Sequence, residues 1–172
     1  MSNLEKIQKG MRVLQILSKI ILIFAIVGVV LASIGATLVA SDVLNMENQF
    51  LNFLSVTAEM SKGQLVGILA ATAISLLSGG ILTAFAYRYF TAELKEGTPF
   101  TNAGADRIKR LGIIEIAISI ISMSVIDGIY ENIGLAEWSR FDDAGSVTLG
   151  ICLILLSMVL RYGAELEQRT KR

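Results

Sequence analysis

The chain has 172 residues, 53% of them hydrophobic and 17% charged, and its 15 basic and 15 acidic residues balance to a net charge of zero. Soluble domains carry roughly 25% charged residues, so this composition excludes a soluble globular domain, and its high apolar content excludes a disordered one. With no histidine and one cysteine, it also excludes His-based acid–base chemistry, a His-ligated metal and an intramolecular disulfide.

The deficit of charge is concentrated in two stretches, residues 20 to 41 and 63 to 87, which carry none. Each exceeds the ~18 apolar residues that mark a membrane-spanning helix. In chain order, residues 4 to 19 place Leu4, Ile7, Met11, Leu14 and Leu17 at helical spacing, with Lys6, Lys9 and Arg12 elsewhere on the wheel. This reads as an amphipathic lead-in at the membrane surface or as an extension of the first span. That span, about 13–40, is too long for the apolar stretch of a signal peptide, and Leu38 stands where a small residue would precede cleavage. It is expected to be a retained helix. Leu44 to Thr57 mixes Leu44, Phe50, Leu51, Phe53 and Leu54 with polar residues and suggests a short interfacial helix.

The second span is expected over about 64–90, followed by a loop over 91–108 in which Gly97-Thr98-Pro99-Phe100 forms a turn and Thr101 or Asn102 caps the next helix. The third span, about 109–130, holds one acid, Glu115, and the fourth covers about 144–162, where Cys152 lies among apolar residues. Between these two, Tyr130, Trp138 and Phe141 suit an aromatic belt at headgroup level. The expected fold is thus all-α: one membrane domain over residues 1–172, an antiparallel bundle of four membrane-spanning helices with short amphipathic outer segments.

Thirteen of the basic residues precede span one, lie between spans two and three, or follow span four, whereas only Lys62 and Arg140 fall on the other side. The positive-inside rule then predicts that both termini and the 91–108 loop are cytoplasmic, in a cell inner membrane.

Helices in lipid gain little from hydrophobic burial against one another, so small residues that let them approach become the expected contacts. Span one offers Gly28, Ala32, Ala36 and Ala40, and span two Gly67, Ala71, Ser75, Gly79 and Thr83, both at four-residue intervals. Such faces would also serve a homo-oligomer. Glu115 is the costly residue. It lies about one helical turn past Arg110, so an ion pair with that base or with one on a neighbouring helix, a proton or substrate site, and contact with a partner protein are all open readings.

The residues around the 91–108 loop resemble a known family. Leu94, Gly97, Pro99, Phe100, Thr101 and Asn102, followed by Arg107 and Leu111-Gly112, look like the "L..G.PFt..N" signature before the third helix of small bacterial four-helix membrane proteins classed as domain of unknown function 2975 (DUF2975). Arg161 to Glu167, RYGAELE, is similar to that family's "YG..LQ.E" element, and the likeness extends over roughly residues 10 to 168. In place of the family's acidic ending stands Gln168-Arg169-Thr170-Lys171-Arg172. The resemblance implies no catalytic activity, and it implies genomic proximity to small helix-turn-helix regulators.

Three functions follow as expectations. The first is a regulatory or sensing protein that docks a cytoplasmic partner, such as a helix-turn-helix transcription regulator, through Gly97, Pro99, Phe100, Asn102, Arg107 and Lys109, without itself binding nucleic acid. The second is a small multidrug-type transporter, and the third an accessory or immunity subunit of a larger membrane complex. An enzyme is not expected: GxSxG, HExxH and P-loop motifs are missing, and no metal or cofactor is implied.

Overall fold

The computed structural model describes residues 3–41, 60–97, 101–137 and 144–170. They form four α-helices: α1 (Asn3–Ala40), α2 (Lys62–Glu96), α3 (Asn102–Asn132) and α4 (Ala144–Thr170). All four are long and apolar enough to cross a membrane, so the chain is a multi-pass, all-α membrane protein. The segment suspected of forming an interfacial helix, residues 44–57, lies outside the described residues, as do Pro99, Phe100, Trp138 and Phe141.

At 1.5 Å per residue α1 is about 57 Å long and α2 about 52 Å, against a hydrocarbon core of about 30 Å. Both are therefore longer than an upright span requires. The amphipathic lead-in is a continuous extension of α1, and α2 runs on through Arg88 to Glu96. Local chemistry sets the ends. Ser61 and Gln64 form a reciprocal capping box at the start of α2. Gly97 ends that helix with φ 77°, a left-handed conformation that glycine adopts without steric cost. Thr101 then caps α3 by accepting a hydrogen bond from the Gly104 amide at 2.9 Å.

The helices pack in sequence order, α1 on α2, α2 on α3 and α3 on α4, while no Cα atoms of α1 and α4 come within 8 Å of each other. The bundle is thus open along one side. Its first hairpin keeps register over most of its length. Gln8 donates to the Gly97 carbonyl at 2.8 Å, Gln15 to the Thr91 hydroxyl at 2.8 Å, and further along Gly80 faces Ala25, Gly28 faces Leu76 and Gly35 faces Leu69. From the first pair to the last, 27 residues along α1 are matched by 28 back along α2. The buried positions of α1, Met11, Ser18, Ala25 and Ala32, recur every seven residues, as on the seam of a coiled coil.

This period explains why the four-residue stripes divide. Four residues turn a helix by about 400° and seven by about 700°, so a four-residue row drifts about 40° per step while a seven-residue row drifts only about 20°. In α2, Gly67 and Ala71 are buried, with Gly67 against Ile133 and Ile129 of α3, whereas Ser75 and Gly79 have rotated outward and Gly79 faces open space. In α1, Ala32 lies on the buried seam and Gly28 sits under Leu76, while Ala36 is only half-buried.

A closer contact joins α3 to α4. A Cβ placed on Gly112 would lie 2.6 Å from the Gly150 carbonyl oxygen, and one on Gly150 would lie 2.8 Å from that of Gly112. Backbone meets backbone there, which only glycine permits.

Candidate functional site: two buried glutamates

The inward face of α3 carries Gly104, Ala105, Ile108, Gly112, Glu115 and Ser119. At its first turn this face meets Glu93 of α2, whose side chain is fully buried. Arg107 reaches back across the turn and donates to Glu93 Oε1 at 3.0 Å and to Glu96 Oε1. Glu96 also accepts a hydrogen bond from the Thr101 hydroxyl at 2.9 Å. The carboxylate of Glu93 fits because residue 104 has no side chain: a Cβ there would stand 2.8 and 2.9 Å from its two oxygens. Glu93 Oε2 makes no hydrogen bond among the described residues.

This cluster lies beyond the uncharged stretch of α2, past Arg88, and its two acids are perturbed in opposite directions. Burial pushes the Glu93 carboxyl above the usual carboxylate range, the hydrogen bond from Arg107 works against that, and the charge of Glu96 adds to it. Glu96, far more exposed, is held below the usual range chiefly by its hydrogen bond from Arg107.

Glu115 is the other buried acid, at 7% exposure, and it makes neither a hydrogen bond nor an ion pair among the described residues. The pairing with Arg110 allowed by sequence proximity is not formed. Five residues along a helix turn through about 500°, which sets the two side chains about 140° apart. Arg110 accordingly lines a different groove, between α2 and α3, with Phe85, Arg88 and Arg107. Glu115 instead faces a cavity of about 630 Å³ where α1 and α4 fail to meet, and it is the one charged residue among the described residues lining that space. Leucines and isoleucines from all four helices make up most of the wall. Ser18 and Thr83 add hydroxyls, and Tyr89 and Phe90, packed edge to face at 5.4 Å, add aromatic rings. Tyr89, two residues past the uncharged run of α2, thus borders the same cavity as Glu115.

The remaining candidates are spread over the surface of the turn. Gly97 is the C-cap of α2 and accepts the hydrogen bond from Gln8, Asn102 and Lys109 are exposed on α3, and the Arg107 guanidinium is engaged by the two glutamates. Arg161, in the C-terminal motif, pairs with Asp106 and ties α4 to the same end of α3. Beside the turn, a groove of about 930 Å³ runs between the projecting ends of α1 and α2, lined by Gln8, Lys9, Arg12, Gln15, Thr91 and Lys95 among others. Sequence reasoning did not select Glu93, since Ala92-Glu93-Leu94-Lys95-Glu96 looks like a solvated helical run. The available signal was Gly104, a glycine in the first turn of a helix with an acid facing it across a tight turn.

No known family, curated protein or solved structure matches the chain.

Proposed function

We propose that this protein is a non-catalytic regulator of the bacterial inner membrane, with both termini and the α2–α3 turn in the cytoplasm, that senses a signal and passes it to a soluble cytoplasmic partner. A small helix-turn-helix transcription regulator is the partner that the resemblance to DUF2975 suggests. The observation that carries this reading is the ordered extension of the α1–α2 hairpin beyond the length a membrane needs. Its ends are fixed by the Gln8–Gly97 and Gln15–Thr91 hydrogen bonds, and Lys9, Arg12 and Lys95 are exposed along its groove. Anchoring alone needs only about 20 residues per helix, and α1 and α2 have 38 and 35. The groove joins Asn102 and Lys109 as the docking surface, while Arg107 serves it indirectly by holding the turn in shape.

The test is photo-crosslinking in living cells from a reactive residue at position 12 or 95. The expected outcome is one adduct with a soluble protein, which disappears when Lys9 and the remaining base of the groove are changed to glutamate. An absence of adducts from both positions, or an adduct indifferent to charge reversal, contradicts the reading.

A second reading, small multidrug-type transport, draws on the unpaired Glu115 in its cavity. Reconstituted protein that drives proton-coupled efflux, and loses it on Glu115→Gln at unchanged expression, would favour transport over regulation.

A further inference from the structure

We infer that the cavity between α1 and α4 is a binding site for a lipophilic monocation, an organic ammonium or phosphonium ion with aromatic or branched apolar substituents, held by Glu115. This deepens the sensing reading by naming the class of signal, and it rests on that reading only for its biological meaning.

Four observations converge on this ligand class. First, the Glu115 side chain is more than nine-tenths buried and has no partner among the described residues, although an acid in such surroundings is costly unless a positive group accompanies it. The nearest candidate in sequence, Arg110, points into another groove. Secondly, a volume of about 630 Å³ lies within the ~300–1,000 Å³ of sites that enclose drug-sized molecules. Thirdly, the wall is almost wholly apolar, so the rest of the ligand must be apolar too, and a hydrated ion such as Na⁺ or Mg²⁺ would find one carboxylate and few other oxygens. Fourthly, Tyr89 and Phe90 line the same space, and aromatic rings attract soft organic cations. Because α1 and α4 do not pack together, such a molecule can enter from the side of the bundle, close to the end that carries Ile7, Tyr89 and Phe90.

Charge complementarity separates this occupant from the others. A lipid acyl chain would fill the volume and leave the carboxylate alone, and a second copy of the chain would have to bring a base into the gap. The experiment is isothermal titration of the purified full-length protein, in detergent or lipid nanodiscs, with tetraphenylphosphonium, and with tetraphenylborate as the control of equal shape and opposite charge. Saturable one-to-one binding of the phosphonium is expected, weakened at least tenfold in Glu115→Gln and largely kept in Glu115→Asp, with no saturable binding of the borate. Should Glu115→Gln fail to fold, Leu153→Trp keeps the acid but fills the cavity and is expected to abolish binding.

Equal affinity in wild type and in Glu115→Gln or Leu153→Trp, equal binding of the borate, no saturable binding, or a stable dimer whose gap the phosphonium cannot enter would each overturn the proposal. Since the titration contains no partner protein, its failure is distinct from a failure of docking: cross-linking at positions 12 and 95 without phosphonium binding leaves the regulator and removes this ligand.

Discussion

Glu93 and Glu115 are both buried at the inward face of α3, yet one lies at the α2–α3 turn, past the uncharged stretch of α2, among polar partners and the other at the open seam of the bundle with none. Glu93 is enclosed by α2, by Arg107 and by the bare backbone of Gly104, in a pocket that fits a carboxylate and little else. Glu115 has space in front of it and its neighbouring base on another face of its own helix. The difference teaches that burial alone does not fix how an acid is accommodated: the fold supplies Glu93 with a counter-charge and gives Glu115 none among the described residues.

The largest effect that can break this contrast is expected from Arg107→Met. Removing one member of a buried ion pair costs about 3–5 kcal/mol; Arg107 is itself a third exposed, which reduces the expected loss to about 2–3 kcal/mol in denaturant unfolding of the micellar protein. The loss should depend on pH with a definite sign. Glu93 is raised, so its protonated form is the one the fold favours, and its contribution is present at low pH and lost as pH rises through its folded value. Glu96 is lowered, so its contribution is present above the ordinary carboxylate range and lost as pH falls. Arg107→Met removes the base that both use when ionised, so its deficit against wild type should shrink on acidification. A deficit that grows instead would show that Arg107 does not serve these carboxylates.

Next in size is Gly104→Ala. The added methyl displaces the Glu93 carboxylate, and after the ~1 kcal/mol that alanine gains over glycine in a helix a net loss of about 1 kcal/mol should remain, diminished in an Arg107→Met background where the pair is already broken. An unchanged or raised unfolding midpoint would mean that the pocket around Glu93 is loose. The smallest expected effect is that of Glu115→Gln, which keeps the shape of a side chain without a partner and should leave stability within about 0.5 kcal/mol of wild type. The ion pair read from sequence would give the opposite outcome, a clear loss.

The first two spans were legible from their uncharged runs and the other two from apolar stretches that carry few charges, and the turn between α2 and α3 from Gly97 and Thr101, because a left-handed cap and a hydroxyl N-cap are local requirements. What was illegible depends on rotation about a helix axis or on contacts between distant segments. Arg110 and Glu115 are close along the chain but about 140° apart around it. The Gly112–Gly150 contact joins two isolated glycines in different spans, neither of which forms a stripe. The seam of α1 was obscured because two of its four residues, Met11 and Ser18, precede the stretch of small residues that drew attention to Gly28 and Ala36. Glu93 was hidden by its polar neighbours, although the motif that flanks it, from Leu94 through Arg107, was the most distinctive in the chain.

Two double-mutant cycles, run side by side by denaturant unfolding in one detergent, test the contrast most directly. The pair Glu93→Gln and Arg107→Met should show a coupling of about 1 kcal/mol or more, as expected of groups in direct contact, whereas Glu115→Gln and Arg110→Met should be additive within about 0.5 kcal/mol. A coupling between Arg110 and Glu115 as large as that between Arg107 and Glu93 would contradict the account, because Glu115 would then have its counter-charge within the fold.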